Sequence, residues 1–519
     1  MKSVGFMSRR VGIGLGLFLV LTLSVNGLAF GAANNSSTTK TLSTNFTLVN
    51  LDKTTTATGS IQYLQDTGAA WAADSANQSF SLSPNGGSVQ IKQYFDTTLT
   101  PGKGSVVVSS DAALGAVVQI QARGQTPTQG DYSGFSQGST KFYVPLVARS
   151  KSTASGVANS QIIIQNADSS SLNGITVQFI PAPGVVGTFT KTGINLAVGQ
   201  SFYYDVADEG SLPTEWLGSA VVTAPGIGKI AVVSNFFTGA DTMQTFNAFA
   251  QESLATNWIV PTLFSRLANG LSTVVTVQNL SGSNIPANTG LTLTCHTTKG
   301  SIPATLTVHN PAVLANNASF SFNPVTDSAD FPSGWEGSCS VNSGAANVVV
   351  LIQLRYVNSP TGNIAADAYE GIRAGGTDKV MFAPLAAKRE ANGFASVITV
   401  QNMTGSQANL TLYYVPAPSV GANFPCPKAS CDINHDNVVN ALDTIVVTGK
   451  TVPANGSLQR NLRLPAGATD AEDTLPEPWE GALRVESNVA IDGYVQLTYY
   501  INVAGDQLMA HRVFTRALP

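Results

Sequence analysis

The sequence predicts an all-β chain made of four tandem antiparallel β-sandwich domains. Three observations support this fold class: a repeated segment around a Trp, an Asn that ends a β-branched run in every repeat, and almost no helical periodicity. The Trp segments span 212–222, 331–341 and 475–485, and a fourth copy at 99–108 lacks the Trp. A self-similar chain is an array of one supersecondary unit, so the repeat determines the fold.

Two further landmarks recur in the same order and fix the length of the unit. Asn50, Asn166, Asn279 and Asn402 end the β-branched runs, with spacings of 116, 113 and 123 residues. A polar turn ends in Ser88, Ser201, Ser319 and Ser457. About seven short alternating strands in roughly 110 residues is the size of an immunoglobulin-like sandwich, and a jelly roll is the alternative that the sequence leaves open. The repeat resembles the tandem immunoglobulin-like domains of bacterial surface proteins.

The N-terminus is typical of a secretory signal peptide, predicted over 1–33. Lys2, Arg9 and Arg10 precede an apolar run, 11–25, and small residues follow it. The run is shorter than the ~20 residues that span a bilayer, so we expect removal after Gly31 or Ala33 and no integral membrane span afterwards. The predicted sandwiches then cover 34–137, 138–254, 255–376 and 377–519.

The first predicted domain lacks the strand that opens the other three. The opening strands are 142–146, 258–262 and 380–385, whereas the polar stretch 33–40 precedes the first domain. Either this domain closes with fewer strands, or a neighbouring chain supplies the strand by β-augmentation. Head-to-tail contacts of the second kind that do not close into a ring would produce filaments.

The repeated Trp has two interpretations. A large aromatic at the start of a strand most often caps a sandwich core. The alternative is an exposed Trp that stacks on sugars. The fixed place of the Trp, two residues before a Gly and an apolar strand, favours the core.

The last domain carries an insertion, 425–449, with a calcium-loop pattern. The oxygen ligands at positions 1, 3, 5, 7, 9 and 12 would be Asp432, Asn434, Asp436, the carbonyl of Val438, Asn440 and Asp443. These twelve residues resemble a dockerin repeat, D-x-N-x-D-x-x-V-N-x-x-D. The usual Gly at position 6 is Asn437, and a dockerin has two such loops where this chain has one. The sequence therefore predicts a structural Ca²⁺ clip rather than a cohesin-binding module, with a plain polar loop as the alternative.

Four cysteines in an exported chain predict two disulfides. Cys426 and Cys431 would staple the base of the inserted loop, and Cys295 and Cys339 would join two strands of the third domain. The cysteine spacing does not suggest a metal site.

Composition and motifs favour a structural protein over an enzyme. Charged residues are 11% of the chain, against about 25% in typical domains, and the net charge is −4 with no basic tract, so nucleic acid is not an expected partner. No nucleophile elbow, zinc-protease or phosphate-loop motif is present. We expect a secreted cell-surface protein that self-associates into a filament or coat. The alternatives are an adhesin for cell-surface glycans, which exposed aromatics would favour, and a hydrolase, which a buried carboxylate pair in a cleft would favour.

Overall fold

The computed structural model describes residues 19–25, 42–122, 127–297, 300–417, 431–468, 472, 474–501 and 505–517, with 19–25 described as backbone only. The chain forms four successive units of strands. The strands of unit 1 are β1 (Leu19–Val25), β2 (Leu42–Asn50), β3 (Ala57–Gln65), β4 (Ser79–Leu82), β5 (Ser88–Lys92), β6 (Gly102–Ser110), β7 (Leu114–Ala122) and β8 (Gln129–Ser133). The strands of unit 2 are β9 (Lys141–Arg149), β10 (Lys151–Thr153), β11 (Gly156–Asn166), β12 (Leu172–Pro181), β13 (Phe189–Leu196), β14 (Ser201–Asp205), β15 (Trp216–Thr223), β16 (Ile230–Thr238), β17 (Thr242–Asn247) and β18 (Phe249–Ala250).

Units 3 and 4 follow the same plan. The strands of unit 3 are β19 (Asn257–Ser265), β20 (Leu271–Asn279), β21 (Thr292–Thr297), β22 (Thr305–His309), β23 (Ser319–Phe322), β24 (Trp335–Asn342), β25 (Val348–Tyr356), β26 (Ala366–Glu370) and β27 (Ile372–Arg373). The strands of unit 4 are β28 (Val380–Lys388), β29 (Phe394–Asn402), β30 (Ala408–Pro416), β31 (Ile445–Val452), β32 (Ser457–Asn461), β33 (Trp479–Ser487), β34 (Ile491–Tyr499), β35 (Leu508–Arg512) and β36 (Phe514–Arg516). Short 3₁₀ turns lie at Ser75–Asn77, Gln93–Phe95, Val206–Asp208, Gln251–Ser253 and Ala441–Asp443.

Each unit is a sandwich of two antiparallel sheets, which confirms the predicted fold class. Unit 1 has the orders β1-β6-β3-β4 and β5-β2-β7-β8, and the corresponding strands pair in the same order in the other units. The pairs β2–β5 and β3–β6 also occur in an immunoglobulin sandwich, but here β1 lies beside β6 rather than β2, and β7 lies beside β2 rather than β6. The strand order therefore differs from the immunoglobulin topology. Among the described residues, no helix is long and apolar enough to cross a membrane.

The repeated Trp belongs to the core, as predicted. Trp216, Trp335 and Trp479 are at most 1% exposed. A Cβ added to the glycine two residues after Trp216 would lie 2.8 Å from its ring and 2.1 Å from the carbonyl oxygen of Ile180, so only a glycine fits there. In unit 1, Trp71 supplies the missing ring from another part of the sequence and packs against Gly102.

The Asn landmark ties three segments of each unit together. The Asn402 side chain donates hydrogen bonds to the carbonyls of Ser406, Val452 and Pro453 at 2.7, 3.3 and 2.9 Å, and accepts one from the Thr404 backbone at 3.0 Å. Asn50 and Asn166 each make three equivalent donations, and Asn279 makes two. All four residues are at most 1% exposed. The landmark therefore recurs because it satisfies buried carbonyls at the turn before the fifth strand.

The four units contact one another in a closed ring. In each unit, one side chain of the strand at the Trp segment (β6, β15, β24 or β33) forms a hydrogen bond with the next unit, and the last unit bonds to the first. The bridging bonds are Gln165 Nε2 to Ser105 Oγ (2.6 Å), Ser219 Oγ to Asn317 O (2.6 Å), Ser338 Oγ to Asn455 O (3.3 Å) and Arg484 Nη1 to Asn85 O (3.1 Å). An apolar cluster of Val49 and Leu51 with Val380, Phe382, Ala482 and Phe514 seals the seam between units 4 and 1.

Candidate functional site at the axis of the ring

The eighth strand of each unit meets its three counterparts at the centre of the molecule. Strand β8 contacts β17 and β35, and β26 contacts the same two strands. Each of these axial strands is an edge strand of its own sheet. Its inward backbone N–H groups therefore have no ladder partner, and they need another acceptor because they are buried.

The carboxylate of Asp367 supplies that acceptor at the axis. It accepts one backbone N–H from each unit: Asp131 at 3.2 Å, Thr245 at 2.8 Å, Ala368 at 2.9 Å and Ala510 at 2.7 Å. The four donors occupy equivalent positions in the four axial strands. Burial, and then the nearby Asp131, raise the pKa of Asp367, while the N–H donors oppose this rise.

A second carboxylate repeats the arrangement two residues earlier in the axial strands. Asp506 accepts the backbone N–H groups of Met243 at 3.0 Å, Ala366 at 3.2 Å and Leu508 at 3.4 Å. Burial raises the pKa of Asp506, and these N–H groups together with that of Gln129 lower it. Both carboxylates therefore hold all four units together through the same backbone positions.

A buried pair links unit 4 to unit 1 beside these carboxylates. His511 Nδ1 lies 2.6 Å from Asp131 Oδ2, and both side chains are fully buried. The rings of Tyr369 and Tyr494 stack nearby in the core with centroids 4.4 Å apart. The described axial strands thus enclose buried polar groups, Asp131, Asp367, Asp506 and His511.

A cavity of about 460 Å³ opens where the four axial strands end, which is within the usual size range of small-molecule sites. The last residues of the axial strands are all polar and all different: Ser133, Asn247, Glu370 and Arg512. Two residues further on, three units place a Phe and one an Ile: Phe135, Phe249, Ile372 and Phe514. The residue between them bonds equivalently in each unit, through Gly134 N to Ala116 O, Ala248 N to Val232 O, Gly371 N to Val350 O and Val513 N to Gly493 O.

The two charged residues at the mouth of the cavity are in different states. Arg512 pairs with Asp492 and donates to the Gly371 carbonyl at 3.2 Å. Among the described residues Glu370 has no ion-pair partner within 4.0 Å. Burial raises the pKa of Glu370, and the nearby Arg512 charge and hydrogen bonds from Asn247 oppose that shift.

The predicted calcium residues lie together in one loop between β30 and β31. Asp443 Oδ1 accepts the backbone N–H groups of Ile433 and Asn434 at 2.7 and 3.1 Å, and Asp432 Oδ2 accepts that of Asn437 at 2.9 Å. Asp432 Oδ1 is buried without a hydrogen-bond partner. Asn437 has φ of 71°, as expected at loop position 6.

The other loop oxygens are bonded within the loop. Asn434 Oδ1 and Asp436 Oδ1 accept backbone N–H groups, and the Val438 carbonyl accepts a hydrogen bond from Asn440 Nδ2 at 3.2 Å. In the described part of the chain, no three His, Cys, Asp or Glu side chains are grouped closely enough to hold a metal ion. The loop therefore has the ligand spacing of a calcium site and one buried carboxylate oxygen, Asp432 Oδ1, without a hydrogen-bond partner. The carboxylates of Asp436 and Asp443 accept backbone N–H groups.

One predicted disulfide is confirmed. Cys295 and Cys339 are directly opposite on β21 and β24 and form a disulfide. Cys431 is also disulfide-bonded. Its predicted partner, Cys426, lies outside the described residues.

A buried carboxyl pair, of the kind that would favour a hydrolase, lies at the seam between units 4 and 1. Glu390 and Glu480 are 7% and 5% exposed and share a hydrogen bond. Glycosidase carboxyls are separated by about 5–9.5 Å to bracket a sugar bond, so directly bonded carboxyls do not fit that chemistry. The adjoining cavity, about 70 Å³, is also too small for a sugar ring.

Comparisons with known proteins give only remote structural likenesses. No protein-family model matches the chain, and no curated protein is similar to it in sequence. The structure of Thermotoga maritima 1070 is 12% identical, covers 22% of this chain and 97% of its own, and has a TM-score of 0.18. The full-length RrgB pilus protein of Streptococcus pneumoniae is 9% identical over 96% of this chain and 93% of its own, and a second full-length RrgB structure is 8% identical over 96% and 95%; both TM-scores are 0.10. Scores this low carry no argument about function.

Proposed function

We propose that this chain is an exported structural subunit that polymerises by strand exchange at unit 1. The observation that carries the proposal is the position of β1. Strand β1 pairs antiparallel with β6, in the place that β9, β19 and β28 hold beside β15, β24 and β33. The sequence pattern assigns the same residues to the signal peptide, so export would remove the strand that completes unit 1.

Strand β1 occupies this place without the features of its counterparts. The pairings of β9, β19 and β28 each contain a register shift near a Pro. The pairing of β1 runs without a shift from Leu19 opposite Val108 to Val25 opposite Gly102. Strand β1 therefore lies in the first-strand place of unit 1 but lacks the Pro and the register shift of its counterparts. We infer that another segment can replace it.

An empty first-strand place would leave a reactive edge. Val106 and Val108 of β6, and Phe46 and Leu48 of the facing β2, are fully buried with β1 in place. Without a neighbour, β6 would present unpaired backbone groups beside apolar side chains, which is a template for strand addition.

The ring explains why the joint between copies would lie here. A head-to-tail contact between units could build a filament. In this chain, however, every such contact forms within one molecule, because unit 4 contacts unit 1. A closed ring leaves no free end of that kind. The occupant that we propose for the first-strand place is therefore a strand of a second copy.

The experiment compares the chain with and without residues 1–33. We expect the 34–519 form to make filaments visible by electron microscopy, and the 1–519 form to stay single. A synthetic peptide of residues 17–27 should bind the 34–519 form and stop its growth, whereas a scrambled peptide should not. Monomeric 34–519 protein that does not bind the peptide would refute the proposal.

An adhesin function has little support among the described residues. The Trp side chains are buried, and the exposed aromatic pair is Tyr94 and Phe95, which are 53% and 49% exposed. One pair is not the stripe that glycan stacking needs.

We also propose that the loop of Asp432 takes up Ca²⁺ as a structural clip. The spacing of oxygen ligands and the unpartnered, buried Asp432 Oδ1 support it. Calcium should raise the unfolding temperature of the chain, magnesium should do so less, and Asp432→Asn should abolish the calcium effect. The exposed Asp330→Asn variant is the matched control, and an equal calcium response in both variants would contradict the site.

A further inference from the structure

We propose that the cavity at the end of the ring axis binds a small organic cation with an apolar body, such as an arylalkylamine. This site is separate from the strand exchange at unit 1. Its walls come from all four units, in the segments that follow β8, β17, β26 and β35.

The charges at the cavity favour a cation beside Glu370. The exposed Glu252 and Arg373 also line the cavity, and their opposite charges offset each other. The Arg512 guanidinium is already neutralised by Asp492 and donates to the Gly371 carbonyl. Glu370 faces the cavity without an ion-pair partner within 4.0 Å among the described residues. A buried carboxylate without a cation is unfavourable, so a ligand ammonium would restore its charge partner.

Aromatic rings supply the apolar part of the site. Phe135, Phe249 and Phe514 occupy equivalent positions in units 1, 2 and 4 and line the cavity. Phe135 and Phe514 are only half-buried, so part of each ring is open to a ligand. Aromatic faces attract cations and also bury an aryl or alkyl body.

The site depends on the differences between the repeats. Four identical units would place four identical residues at the mouth, whereas this chain places Ser133, Asn247, Glu370 and Arg512 there. Glu370 lies between Asn247 of β17 and Arg512 of β35. Because Arg512 is paired with Asp492, the Glu370 carboxylate can accept an N–H donor of a ligand on its side of the axis. Ser133 O already accepts from Asn247 Nδ2 at 2.7 Å, which holds the neutral half of the mouth in place.

The test is titration of the full chain with phenethylamine, followed by calorimetry and ligand-observed NMR. We expect saturable 1:1 binding, and at least tenfold weaker binding of phenethyl alcohol, which has the same body without the charge. Glu370→Gln should weaken phenethylamine binding at least tenfold and leave the affinity for the alcohol unchanged. Asp330→Asn, which removes a distant exposed carboxylate, should change neither affinity.

Three results would overturn the proposal. They are no saturable binding of phenethylamine, equal affinity for amine and alcohol, and unchanged amine affinity in Glu370→Gln. A variant that fails to fold would be replaced by Phe135→Leu, which keeps the apolar volume but removes the ring and should also weaken amine binding. Unchanged amine affinity in Phe135→Leu would likewise count against an aromatic cation site.

Discussion

Replacing Asp367 by Ala tests whether one carboxylate holds the four units together. The substitution removes the acceptor of four backbone N–H groups, one from each unit, at 2.7–3.2 Å. A buried N–H group left without a partner costs about 1–3 kcal/mol, so the four together cost about 4–12 kcal/mol before the surrounding chain relaxes. The substitution also relieves the cost of burying the carboxyl group, which raises its pKa, so we expect a net loss of about 3–5 kcal/mol in the free energy of unfolding.

The assay is equilibrium unfolding in urea, followed by Trp fluorescence. Asp367→Ala should lower the midpoint, whereas Asp330→Ala, at an exposed turn, should change the free energy by less than about 0.5 kcal/mol. Asp367→Asn should lie between them, because its amide retains one oxygen acceptor in place of two.

The same variant offers a chemical rescue. Formate has the size and charge of the missing carboxylate and would find four convergent N–H donors. Sodium formate should restore part of the lost stability of Asp367→Ala, and sulfate at equal ionic strength should restore less because it is larger. A loss below about 1 kcal/mol without any formate effect would refute the axial role of the carboxylate.

Three further predictions follow from the buried network, the seam and the disulfide. Asn402→Ala should cost about 2–4 kcal/mol in urea unfolding, since it leaves buried carbonyls without donors, whereas the exposed Asn409→Ala should cost little; equal costs would contradict the landmark role. Burial and Glu480 raise the pKa of Glu390, so its contribution to the seam between units 4 and 1 should be fully present below the ordinary pKa of a Glu and should be lost as pH rises from there through the raised pKa. Thermal unfolding against pH measures this loss, and Glu390→Gln, which carries no charge, should remove most of it. Replacing both Cys295 and Cys339 by Ala should lower stability by about 4 kcal/mol by the chain-entropy estimate for a 44-residue separation. A reducing agent should destabilise the unsubstituted chain at least as much, because it also reduces the disulfide of Cys431.

The sequence was sufficient for the units because their features are local. Trp216, the Gly after it and Asn166 lie within one sandwich, and the packing of a Trp ring on a Gly recurs wherever the unit recurs. Asn166 marks the register of the unit from sequence alone. Its role depends on carbonyls about 30 residues away, which no local pattern identifies.

The ring and its axis were not predictable in the same way. The axial strands are short and have no residue type common to all four, since Asp131, Thr245, Ala368 and Ala510 occupy the same position. It is their backbone N–H groups that Asp367 binds. A contact made by backbone leaves no trace in residue identity. The recurring Phe135, Phe249 and Phe514 after these strands were the available signal. The sequence also predicts that unit 1 has no opening strand. An apolar run after basic residues is typical of a signal peptide, and this pattern does not show whether the same residues can pair with β6.

Placing the four units on one chain makes the assembly of the ring independent of protein concentration. Four separate subunits would dissociate when the protein is diluted. Covalent linkage converts three association steps into intramolecular ones, in which each unit meets its neighbour at a high effective concentration. The buried axial groups, which need all four units to be satisfied, are therefore formed within a single molecule even at the lowest abundance.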